Sequence, residues 1–134
     1  MEDLITENAV VKHEESLNAL FVELKGYIPL ETLKSVIERE YAMIKHYKLS
    51  KCLVDLRGIK VYAPGAQELV KTEWFPTIKS LGVKQVAIII PEDIFGKLAM
   101  EKAHEEQAKT QDRSTQNFKD IESATEWLES DVLA

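Results

Sequence analysis

Residues able to do chemistry are few and scattered. The three histidines, His13, His46 and His104, and the single cysteine, Cys52, are the types that bind metals or activate nucleophiles near neutral pH. None of them stands at metal-ligand spacing from another. A lone cysteine forms no intrachain disulfide and supplies no thiolate zinc cage. Cys52 opens the apolar run Cys52-Leu53-Val54, so it is expected to be a small buried hydrophobe, not a reactive thiolate. The five glycines are dispersed. They make no phosphate-cradling loop, and neither a nucleophile elbow nor a dinucleotide fingerprint is present. The expectation is a protein that is not an enzyme and needs no metal and no cofactor.

Two sets of side chains remain as a candidate ligand or partner surface. Asp55 and Arg57 stand at the carboxyl end of a strand, where open α/β sheets tend to bind ligands. They can anchor a polar group there, or Asp55 can cap a loop and pair with a cation. Tyr62, Trp74 and Phe75 are the aromatic set. On a helix, adjacent residues point about 100° apart. One of Trp74 and Phe75 can therefore face the core while the other faces a groove or a partner, or both can pack around Pro76. The run Glu101 to Lys109 reads as a solvated helix end or a docking face for a basic partner.

The elements that must position these residues follow from periodicity. Residues 9–13 and 17–24 read as a hairpin turned by Glu14-Glu15-Ser16, with Gly26 breaking the second strand. Leu33, Ile37, Tyr41 and Ile44 recur at helical spacing and predict a helix over about 30–48, with Pro29 suited to its first turn. Residues 51–56 form a strand ended by Gly58, and 59–65 a loop. Ala66, Leu69, Val70, Trp74, Ile78 and Leu81 make a second stripe, in which Pro76 must kink or restart the helix near Phe75. Val86 to Ile90 is apolar at every position and predicts a central strand covered on both faces. A helix is expected after Glu92 and Asp93, a loop over 110–117 and a short edge strand at 118–121. A last helix should follow, capped by the Ser123 to Glu126 spacing and pinned by the indole of Trp127.

The chain of 134 residues is long enough to bury one core as a single domain, and 45% of its residues are hydrophobic and 30% charged. A net charge of −6 argues against nucleic acid as a partner, since phosphate binding needs a basic face. Residues 1–8 are acidic and read as a disordered tail without a signal-peptide pattern. The longest apolar run is far short of a membrane span. A cytoplasmic location is expected.

Strands alternating with helices imply an α/β domain with a mainly parallel sheet of about five strands and an N-terminal antiparallel hairpin. At this level residues 9–129 resemble the STAS / SpoIIAA-like family, whose fold is shared with lipid-binding CRAL-TRIO domains. The resemblance rests on Leu53-Val54-Asp55-Leu56-Arg57-Gly58, on Gly82 to Pro91 and on the closing Phe118 to Leu128, an ending similar to that of small bacterial members. It implies a βα superhelix and a regulatory or binding role. Antagonists of this family carry a phosphorylated serine in an Asp-Ser-Ser/Thr-Gly loop. This chain has Tyr62-Ala63-Pro64-Gly65 there, so the switch is not carried over.

The first functional expectation is a non-enzymatic binding or regulatory module that recognises a protein. The alternative is a carrier or sensor of a small apolar, lipid-like molecule lying across the helix-free face of the sheet, and an enzyme comes third. Crossovers in one direction cover one sheet face, yet Val86, Ile88 and Ile90 oppose Ala87 and Ile89, so both faces are apolar. A helix, an apolar ligand or a second copy must cover the other face. A homodimer is the expectation that needs fewest assumptions.

Overall fold

The structure, a computed structural model, describes residues 1–92, 94 and 114–130. The expected helix after Asp93, the run Glu101 to Lys109 and His104 lie outside the described residues. Among the described residues the elements are β1 (Leu4–Ile5), β2 (Ala9–Glu14), β3 (Ala19–Ile28), α1 (Leu30–Tyr47), β4 (Lys51–Tyr62), α2 (Ala66–Leu69), a π turn (Val70–Trp74), α3 (Phe75–Ser80), β5 (Gln85–Ile89), β6 (Thr115–Phe118) and α4 (Ile121–Glu129). They build one six-stranded sheet in the order β1-β2-β3-β4-β5-β6. The first two pairings are antiparallel and the last three parallel.

The hairpin forms because Ala9 and Val11 are buried on one side of β2, and β3 alternates in the same way. Asn18, at φ 49, takes the left-handed turn position that asparagine tolerates. The N-terminal residues are not a loose tail. Leu4 and Ile5 pair with Val11 and Val10 as a short edge strand, and Leu4 packs on the main core.

Two glycines expected to end strands do not. β3 runs through Gly26 and β4 through Gly58, so the loop expected over 59–65 is strand as far as Tyr62. Opposite Leu24, β4 inserts an extra residue between the pairs Glu23↔Asp55 and Lys25↔Gly58, and a second irregularity precedes Tyr27↔Val61. Glycine serves close approach here: a Cβ on Gly58 would lie 2.7 Å from the Cβ of Lys25. The first bulge also shifts the side-chain parity, so Ile59 and Val61 point to the same side as Val54 and Leu56.

α1 starts after Pro29 and stops where Lys48 turns left-handed at φ 55, its amide donating to the Ile44 carbonyl. Leu33, Val36, Ile37, Met43 and Ile44 are buried against the sheet. The second helical stripe restarts at Phe75, as Pro76 requires. The turn before it widens, and the amide of Phe75 donates five residues back to the carbonyl of Val70. A proline ring collides with the carbonyl four residues before it, here that of Thr72, and a wider turn relieves this.

α1, the π turn and α3 share one sheet face, in a core that includes Leu20, Val22, Val54, Trp74 and Ile78. The second apolar face, whose cover the sequence left open among a helix, a second copy and a ligand, carries α4. Ala124 and Leu128 are fully buried there against Leu53, Ala87 and Ile89. The cap of α4 is Asp120, whose Oδ1 accepts from the Ser123 amide at 2.7 Å, and not Ser123 itself. Trp127 is only half-buried, leaning on Phe118 at 5.6 Å between ring centres. No helix among the described residues is long and apolar enough to cross a membrane.

Candidate functional site

A cavity of about 310 Å³ opens between α1, the π turn and the long strands β3 and β4. Its walls are apolar: Val22, Leu24 and Ile28 from β3, Val54, Leu56 and Ile59 from β4, Leu33 and Ile37 from α1. Ala63 and Ala66 are small, so the wall leading into α2 stands back and leaves room. Gln67, Lys71 and Val61 also line it and are exposed, which places the mouth at the end of β4 and the start of the second helical segment.

The interior holds one acid. Glu40 is 3% exposed and lines the cavity from α1. The Nε1–H of Trp74 donates to its Oε1 at 2.9 Å. Burial raises the Glu40 pKa to about 7, and the Trp74 hydrogen bond is the influence that pulls it down. The π turn thus brings the indole to the carboxyl, and π turns are often found at functional sites. Trp74 and Phe75 meet edge to face, their ring centres 4.8 Å apart and their planes at 73°.

Removing that donor is a direct probe. Trp74→Phe is expected to lower stability by about 1–2 kcal/mol more at pH 8 than at pH 5, because the indole N–H stabilises the ionised carboxylate more than the neutral carboxyl. Urea melts at both pH values measure the difference, and an equal loss at both would separate Trp74 from the ionisation of Glu40.

Of the residues singled out from sequence, Trp74 and Phe75 both line the cavity. Tyr62 closes β4, opposite Ile28, between the lining residues Val61 and Ala63. Asp55 and Arg57 belong elsewhere. Asp55 is 4% exposed on the α4 face of β4. Its Oδ1 accepts from the Arg57 amide and Nε, each at 3.1 Å, and its Oδ2 from Nη2 at 2.9 Å. This buried carboxylate is satisfied by the residue two positions on, and the sheet separates the pair from the cavity.

Glu40 escaped the sequence reading because it sits in the charged stretch Glu38-Arg39-Glu40. The available signal was its spacing: it falls three residues after Ile37 and four before Ile44, inside the apolar stripe of α1.

Among the described residues the other reactive types are accounted for. Cys52 is buried and its thiol pKa is pushed up by burial, then by the nearby Glu40 charge. It therefore stays a protonated thiol at neutral pH. His13 stacks on Tyr47 at 4.1 Å and shares a 2.9 Å hydrogen bond with Asn18, while His46 meets the edge of the same Tyr47 ring. Among the described residues no three His, Cys, Asp or Glu side chains are grouped to hold a metal ion.

A mixed sheet with an antiparallel start, parallel crossovers and α1 and α3 on one face is the SpoIIAA-like fold. An uncharacterized protein from the DUF3478 family with a SpoIIAA-like fold, from Shewanella loihica PV-4, superposes with a TM-score of 0.59. The two are 14% identical, over 93% of this chain and 99% of that one, so the likeness is one of fold. No protein-family model and no curated protein matches this chain. Pro64, at the position that the sequence resemblance gives to the phosphorylated serine, is exposed in the turn before α2 and has no hydroxyl.

Proposed function

We propose that this protein is a non-enzymatic binding module that carries or senses a small apolar molecule. The observation that supports this reading is the apolar cavity of about 310 Å³ between α1 and the π turn. That size lies at the lower end of small-molecule sites, which are concave, mostly apolar and furnished with few polar groups. Well-packed interiors seldom hold a void of this size. The ligand lies under the helices on the α1 face, and not across the face that α4 covers.

Filling the cavity tests the reading. Ala66 is 2% exposed on the cavity wall, so Ala66→Leu projects extra carbons into the space. The variant is expected to be as stable as the parent or up to about 1 kcal/mol more stable. It should bind N-phenyl-1-naphthylamine, an uncharged apolar fluorophore, about ten-fold more weakly in a fluorescence titration. Absence of fluorophore binding by the parent protein would refute the carrier reading.

Recognition of a protein partner has its own support. Tyr27 and Val61 are neighbours across β3 and β4, and they are 52% and 59% exposed. This apolar pair stands beside the cavity mouth, where a partner or a second copy could sense an occupied cavity. Native mass spectrometry reads bound ligand and oligomeric state in one measurement.

A further inference from the structure

We propose that the cavity selects an apolar amine, with its protonated nitrogen against the Glu40 carboxylate and its hydrocarbon body between α1 and β4. The inference rests on the carrier reading above and adds the chemical class of the ligand.

Three observations lead to an amine. First, the buried polar group on the cavity wall is an acid: Glu40 is 3% exposed, whereas Gln67 and Lys71 are exposed at the mouth. An ionised carboxylate offers acceptors alone, so the complementary head group is one that brings donors and positive charge. Second, the donor that Trp74 possesses is already committed. An indole has a single N–H, and here it is spent on Oε1 at 2.9 Å. That bond orients the carboxyl and favours its charged form, and it leaves no indole donor for an acidic head group. Third, Trp74 and Phe75 both line the cavity, and aromatic rings attract a desolvated cation. The overall charge of −6 also favours the approach of cations over anions.

The charged and titratable surroundings of Glu40 fit the same reading. From α1, Tyr41 is its neighbour, and its own phenol feels both Glu40 and Glu73. From β4, Cys52 is the buried thiol whose ionisation Glu40 opposes. From the π turn come Trp74 and Lys71, a cation that lines the cavity and is exposed at its mouth. A bound amine supplies the positive charge beside Glu40 and favours its ionised form.

The test uses three probes of matched length on the full chain: n-octylamine, n-octanol and octanoate, each displacing N-phenyl-1-naphthylamine at pH 8. Octylamine is expected to bind about ten-fold tighter than octanol, with octanoate the weakest. Lowering the pH from 8 to 5 should weaken octylamine about ten-fold and leave octanol unaffected, because the carboxylate is protonated. In Glu40→Gln the ratio of amine to alcohol affinity should fall to about one, with circular dichroism reporting the fold. Octanol or octanoate binding as well as octylamine to the parent protein would overturn the amine assignment while leaving the cavity reading in place. Failure of all three probes and of the fluorophore would overturn the cavity reading, and the amine with it.

Discussion

Glu40→Gln makes the protein more stable at pH 8, by about 2 kcal/mol, and slightly less stable at pH 4. The folded-state pKa of Glu40 is about 7 against an ordinary 4.5, because burial disfavours its charged form. A raised acid pKa means that the folded state holds its proton more tightly than the unfolded chain does. Stability contributed by this group is therefore full below pH 4.5 and is lost as the pH rises to about 7. The difference of pKa corresponds to about 3 kcal/mol between the two ends of that window. Glutamine keeps an oxygen for the Trp74 N–H and never ionises, but its amide donors need acceptors, which returns about 1 kcal/mol. Urea melts of both proteins at pH 4, 6 and 8 give the difference directly. A difference that does not change with pH would mean that Glu40 is not the group that loses stability on ionisation.

Leu128→Ala is expected to cost about 2–5 kcal/mol, the range for a fully buried leucine whose surroundings cannot collapse. α4 has 9 residues, too few to persist as an isolated helix in water. Its attachment rests on Ala124 and Leu128, both fully buried against Leu53, Ala87 and Ile89. Among the described residues these are the fully buried side chains of α4 on the second sheet face, with Trp127 packed partly buried beside them. Trp127→Ala should cost less, about 1–2 kcal/mol, because the residue is half-buried. Equilibrium denaturation of the two variants ranks them. A larger loss at Trp127 than at Leu128 would mean that the helix is pinned by its outer edge and not by its buried stripe.

The attachment of α4 bears on assembly. The sequence expectation of a homodimer rests on crossovers in one direction, which leave one sheet face bare. With α4 on that face, an exposed apolar pair among the described residues stands near the cavity mouth, Tyr27 and Val61, and Ile5 on the edge strand β1 is exposed as well.

Periodicity alone determined the α/β class, helix α1, the restart at Phe75 and the buried strand β5. These depend on local rules: apolar residues every three or four positions, a proline that breaks a regular turn, and a run with no polar residue to place in water. The extension of β4 past Gly58 depends instead on β3. A glycine reads as a stop until the neighbouring strand shows that its backbone must approach within a Cβ radius. The short strand β1 exists because β2 offers an edge. Asp55 and Arg57 were visible as a polar pair, but which face they serve is set by the sheet, and it is not the face of the cavity. Trp74 and Phe75 were visible as aromatic neighbours, whereas the partner of Trp74 is 34 residues away on another helix. Glu40 lies in the apolar stripe of α1, yet only the fold shows that it meets a cavity there and not solvent. A one-dimensional pattern records which side of a helix is apolar. What that side faces, whether packed carbon, open space or an indole N–H, is decided when the elements come together.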